Sequence, residues 1–167
     1  MHKLINASFF LKAMKVDIIQ HKNNKLMFIN DDLWMWDTPR ERKLQKQLSD
    51  KAFGNVLVAG YGLGIVQSFL LKNSRVKSVK TVEKYKDVIE KMKESGKIQG
   101  NVTICDFYKF SNGVKYDCII GDIWEDIDPL FLKDYVKFKK KANTLLKPNG
   151  LILALGKEFY EYLLNKK

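Results

Sequence analysis

Four apolar residues, Val56-Leu57-Val58-Ala59, run without a polar break into Gly60-Tyr61-Gly62-Leu63-Gly64, and an apolar segment of helical character follows. This stretch narrows the folds open to the chain more than any other. An apolar run of this length is what a strand looks like when both faces are covered. Glycines at its end permit a sharp turn, a close approach to backbone and tight packing of the next helix on the strand. The spacing is GxGxG and not the GxGxxG of dinucleotide enzymes, because position 65 is Ile65.

From Asn55 onward the pattern alternates. Strands are predicted at 55–60, 78–83, 101–105, 116–121 and 150–155, and helices near 63–73, 85–95, 129–145 and 157–166. Helix 129–145 places Phe131, Tyr135, Phe138, Ala142 and Leu145 on one stripe, with Lys133, Lys137 and Lys141 on another face. Lys147-Pro148-Asn149-Gly150 reads as a turn into the last strand. Such alternation predicts an α/β, Rossmann-like, mostly parallel sheet with helices on both faces. Before it, segments 14–21 and 25–30 flank polar turn residues and read as a small N-terminal β-hairpin, which Asp32–Trp36 extends. Thr38-Pro39-Arg40-Glu41 then has the form of a helix start, with Thr38 as cap and a helix running to about Ser49. Residues 1–12 read as a short amphipathic lead-in. The expected division is 1–50, hairpin plus helix, and 51–167, the Rossmann-like unit, in one compact body.

Polar residues gather where the predicted strands end. Glu83 closes the second strand, about 20 residues after the glycines, where a carboxylate can accept from both hydroxyls of a ribose. Asp106 follows the third strand, placed to accept from an adenine amino group, and Asp122 follows the fourth. Together with Gly60, Gly62 and Gly64 they converge on one sheet edge, the crevice where open α/β sheets bind ligands. Trp124 is read as a wall of an acceptor pocket or a cation–π partner. Trp34, Trp36 and Asp37 precede the first helix, where a lid would lie.

These residues carry a resemblance. The chain is similar to the class I S-adenosylmethionine-dependent methyltransferases and, among them, looks most like the spermidine synthase-type branch over residues 25–156. Val82-Glu83-Lys84-Tyr85-Lys86-Asp87-Val88-Ile89 resembles that branch's ribose-binding segment. Val102 to Phe110 resembles its adenine segment, which adds Phe107 to the cofactor-binding set, and Tyr116 to Asp122 resembles its fourth strand. The resemblance implies S-adenosylmethionine, or its decarboxylated form, as cofactor, with Asp122 as the catalytic residue. Leu63 stands where polyamine synthases carry an aspartate. Asp122-Ile123-Trp124-Glu125 replaces their Asp-Ser-Ser-Asp-Pro, with Glu125 in place of the second acid. The branch's full sheet also has two strands beyond the fifth. Without them the edge needs a cover, and a homodimer is one.

The resemblance and the composition together leave three readings open. The first is methyl transfer to a small molecule or peptide. The second is aminopropyl transfer, and the third a non-enzymatic basic module on a degenerate cofactor fold. The net charge is +11, but only Arg40, Arg42 and Arg75 are arginines among the 30 basic residues. Lysine acts as a point charge and reads bases poorly, so nucleic acid is a partner at low salt without a specific site being indicated. No apolar run approaches the roughly 18 residues of a membrane span, and the N-terminal patch is too short for a signal peptide, so a cytoplasmic, membrane-free protein is expected. Cys105 and Cys118 sit in apolar segments and read as free buried thiols, with no metal role. His2 and His21 lie outside the constellation.

Overall fold

Successive residues of the 56–59 run face opposite sides of a sheet, and both sides are covered. The computed structural model describes residues 14–96, 98–124 and 127–166. The predicted lead-in at 1–12 and the predicted site residue Glu125 lie outside them. Three strands, β1 (Val16–His21), β2 (Asn24–Ile29) and β3 (Asp32–Trp36), form an antiparallel sheet in that order. The expected hairpin is therefore a three-stranded sheet, with β3 paired to β2 across a bulge at Met27/Phe28. Helix α1 (Pro39–Lys51) follows. Then come β4 (Gly54–Ala59), α2 (Ile65–Leu70), β5 (Val76–Glu83), α3 (Lys86–Ser95), β6 (Asn101–Ile104) and β7 (Tyr116–Gly121). A 3₁₀ turn (Pro129–Phe131) leads into α4 (Leu132–Leu145), β8 (Leu146–Ala154) and α5 (Lys157–Asn165).

Strands β4 to β8 make one parallel sheet in the order β6-β5-β4-β7-β8. The order reverses beside β4, whose neighbours are β5 and β7, so the crevice for a ligand opens at the carboxyl ends of these three strands. On one face Leu57, Ala59 and Ile119 pack with Tyr135, Phe138 and Ala142 of α4 and Tyr160 of α5. On the other, Val56, Val58 and Ile120 pack with Leu48 of α1 and Val66 and Leu70 of α2. A third cluster joins the two sheets: Val16, Met27 and Ile29 pack with Tyr61 and Leu63 of the glycine-rich turn and with Val88, Ile89 and Met92 of α3. The small sheet is thus seated at the glycine-rich turn, on the carboxyl edge of the large one.

Several predicted boundaries shift, among them the following. Helix α2 stops at Leu70 and not near 73, because the Asn73 amide donates to the carbonyls of Ser49 and Ala52 at 2.7 and 3.2 Å and draws the chain into the turn before β5. The expected 147–150 turn lies inside β8, which begins at Leu146 opposite Tyr116 and carries a register shift, with Asn149 at φ +62°. Helix 129–145 opens with the 3₁₀ turn before the α-helix proper. Cys118 is a buried free thiol as expected, while Cys105 is only half-buried. Among the described residues no helix is long and apolar enough to cross a membrane.

Candidate active site

A cavity of about 790 Å³ opens at the crevice, between the carboxyl ends of β4, β5 and β7 and the small sheet. Its size is within the range of pockets that enclose a small ligand. Gly60 and Gly62 form part of its wall. Gly60 has φ +93°, and a Cβ there would collide with the Asp122 backbone carbonyl. Gly62 has φ +51°, and a Cβ there would stand 2.6 Å from the Met35 sulfur of β3. Both positions combine a left-handed backbone with a close approach, which is why glycine occupies them. Gly64 caps α2 and faces the Tyr61 ring away from the cavity wall.

Glu83 is buried at the end of β5. One carboxylate oxygen accepts from the Tyr61 amide and the other from the Tyr85 amide, each at 2.8 Å. The residue fastens the glycine-rich turn to the β5–α3 junction while still lining the cavity. Each carboxylate oxygen has a second lone pair for an incoming hydroxyl. Behind the turn, Gln67 is fully buried and donates to the Gly60 carbonyl at 3.1 Å. Asp106 lines the opposite wall with Phe107 and Tyr108, and one of its oxygens accepts from the Tyr108 amide at 2.9 Å. Lys137 of α4 stands 4.0 Å from the Tyr108 ring centroid.

Asp122 stands at the end of β7 on the cavity wall. Its neighbour is Gln45 of α1, whose amide nitrogen donates to Asp122 at 3.1 Å and to Glu41 at 2.8 Å. Burial pushes the Asp122 carboxyl up to about 7, with the charges of Glu41 and Glu83 adding to the rise and the Gln45 hydrogen bond opposing it. Trp124 meets Tyr135, Phe138 and Tyr160 edge-on, with centroids 5.6–6.2 Å apart, and also lines the cavity. Trp36 and Trp34 of β3 lie at the cavity's outer wall and are partly exposed.

Most of the predicted set is brought together: Gly60, Gly62, Glu83, Asp106, Phe107, Asp122, Trp124 and Trp36 all line one cavity. Asp37 does not; it is buried behind the wall in a two-pronged ion pair with Arg42. Glu41 and Gln45 are additions that sequence reasoning did not place in the site. The only sequence sign was Glu41 at the third position of α1, where it reads as part of a helix cap.

The chain matches no family model, and no curated protein is similar to it. Solved structures are. One is an S-adenosylmethionine-dependent methyltransferase from Clostridium acetobutylicum, 15% identical over 68% of this chain and 49% of that one, with a TM-score of 0.50. The methyltransferase CcbJ from Streptomyces caelestis is 21% identical over 70% of this chain and 49% of that one, with a TM-score of 0.51. DhpI, solved in complex with SAH, is 15% identical over 68% and 53%, with a TM-score of 0.51. The chain spans about half the length of these structures. The likeness shows the fold: the Rossmann-like α/β arrangement that these methyltransferase structures share.

Proposed function

We propose that the chain is an S-adenosylmethionine-dependent methyltransferase acting on a small molecule or peptide. The observation that carries this reading is Glu83, a buried carboxylate that shapes the glycine-rich turn and faces the cavity at the point where the strand order reverses. The residues fit the cofactor. Glu83 would accept from the ribose hydroxyls, Asp106 and Phe107 would border the adenine, and the amides of the glycine-rich turn would face the amino-acid part. When bound, the cofactor supplies a methyl group on a sulfonium, a neutral and good leaving group. The protein's share is then to align and to exclude water. Asp122, at the β7 end, is the residue we assign to hold the proton given up by the acceptor.

The polyamine-synthase likeness of the 82–89 and 102–110 segments has a rival reading in aminopropyl transfer. None of the structures named above is described as an aminopropyltransferase, and Leu63 leaves no carboxylate in the turn to meet an amine. Calorimetry with S-adenosylmethionine, S-adenosylhomocysteine and the decarboxylated sulfonium separates the readings. We expect the carboxylate-bearing nucleosides to bind and the decarboxylated form to bind more weakly. The reverse order would favour aminopropyl transfer, and no binding at millimolar concentration, with salt-dependent retention on RNA, would favour a binding module. Glu83→Ala should weaken nucleoside affinity by at least about tenfold, since charge-assisted hydrogen bonds contribute roughly 1.5–3 kcal/mol each.

A further inference from the structure

One side of the cavity rests on the last helix. Trp124 and Ile127, on the chain after β7, and Leu155, just before α5, line that side. Trp124 stands 6.0 Å from Tyr160 of α5, and 6.2 and 5.6 Å from Tyr135 and Phe138 of α4, ring centroid to ring centroid. Those three rings are fully buried, and Tyr135 and Tyr160 stack on one another with centroids 4.9 Å apart. Ile127 touches α5 as well: a Cβ at Gly156, the cap of the helix, would stand 2.7 Å from its Cγ2 methyl. Helix α5 thus backs two wall residues that belong to another part of the chain.

A polar lock fixes α5 against α4. Glu161 follows Tyr160 directly, and one of its oxygens accepts from the Tyr135 hydroxyl at 2.5 Å and from the Lys139 ammonium at 2.6 Å. Tyr135 and Lys139 are four residues apart on α4, so both donors leave the same face of that helix. Lys139 and then Tyr135 hold the Glu161 carboxyl below the usual carboxylate range, so it is ionised at neutral pH. Burial, and after it the Glu161 contact, raises the Tyr135 phenol above its ordinary value, so the hydroxyl remains a donor. A buried phenol needs a partner for its hydroxyl, and Glu161 supplies one. Neither Glu161, Tyr135 nor Lys139 lines the cavity. Resting on the methyltransferase reading, we propose that Glu161 is a positioning residue: through Tyr135 it sets the Tyr135–Tyr160 stack, and through that stack the place of Trp124 in the acceptor wall.

The test follows Trp124 by itself. The sequence has three tryptophans, so the whole protein carrying Trp34→Phe and Trp36→Phe keeps Trp124 as its only indole. In that background Glu161→Leu removes the acceptor, and Tyr135→Phe removes the hydroxyl while keeping the ring. Each should raise the acrylamide quenching constant of Trp124 by about twofold or more, because a ring released from its aromatic neighbours meets solvent more often. Both variants break one bond, so combining them should add little to the larger single effect. Glu161→Gln keeps an acceptor for the hydroxyl and should return quenching toward the parent value. S-adenosylhomocysteine affinity, read by calorimetry, should stay within about twofold throughout, because the lock lies away from the cavity wall. A lower melting temperature with unchanged Trp124 quenching makes the lock a structural tie only and overturns the proposal. A loss of nucleoside affinity that tracks the rise in quenching also overturns it, since the effect is then not confined to the acceptor wall. If Glu161→Leu does not fold, Tyr135→Phe decides alone. Failure of S-adenosylhomocysteine to bind the unmodified protein overturns the methyltransferase reading only, and Trp124 quenching, which needs no nucleoside, still decides the positioning role.

Discussion

Asp122 is the residue whose chemistry is most altered by its surroundings. A carboxyl whose folded-state pKa is about 7, against roughly 3.9 in the unfolded chain, holds its proton more tightly in the native state. Linkage then makes native stability fall as pH rises from about 4 to about 7 and level off above. Asp122→Asn keeps an acceptor for Gln45 but carries no charge. It should therefore melt at a higher temperature than the unmodified protein at pH 8, with the gap closing toward pH 4. Matching melting curves at pH 8 would show that the carboxyl is not strained by its burial. Asp122, like Glu83 and Asp106, was legible in the sequence because each sits at or just past the end of a predicted strand of the parallel sheet. Glu41 and Gln45 were not. Their significance is a contact across 77 positions, between the first turns of α1 and the end of β7, and locally they look like ordinary helix-surface residues.

Elements were legible where their signals are local. Helix α1 begins as read, with Pro39 in the first turn and the Thr38 hydroxyl accepting from the Glu41 amide at 3.2 Å. The end of α2 was misplaced because the stop signal is not in the helix: Asn73 is held by the carbonyls that end α1. The docking of β3 on the glycine-rich turn is of the same tertiary kind. The Met35 sulfur accepts from the Leu63 amide at 3.3 Å and occupies the space a side chain at position 62 would need. Gly62→Ala should destabilise the protein by at least about 1 kcal/mol through the left-handed backbone alone. The clash with Met35 adds to that. Combined with Met35→Ala, the two costs should be non-additive, with a coupling of about 0.5–3 kcal/mol in urea denaturation. Strict additivity would mean that β3 and the turn do not bear on one another.

Across the whole molecule, composition reports how much charge there is and says nothing of where it sits. The positive excess is carried by lysines, many of them on exposed helix faces, while carboxylates outnumber cations in the lining of the cavity. The sequence alone therefore left polyanion binding and ligand binding as rivals; we propose that they use different surfaces. We expect the protein to be retained on heparin at low salt and released as salt rises, because the contact is made of point charges. Heparin should not compete with S-adenosylhomocysteine in calorimetry. Competition would place the polyanion at the cavity and contradict the separation.

Glu83 fastens the amides of Tyr61 and Tyr85 to the end of its own strand, so the curvature of the turn is set by the sheet and not by a guest. A receptor wound in advance loses little chain freedom when it closes on a molecule, and the rate of capture is then governed by encounter and orientation. It would also carry a memory of shape: a second guest would meet the same mould as the first.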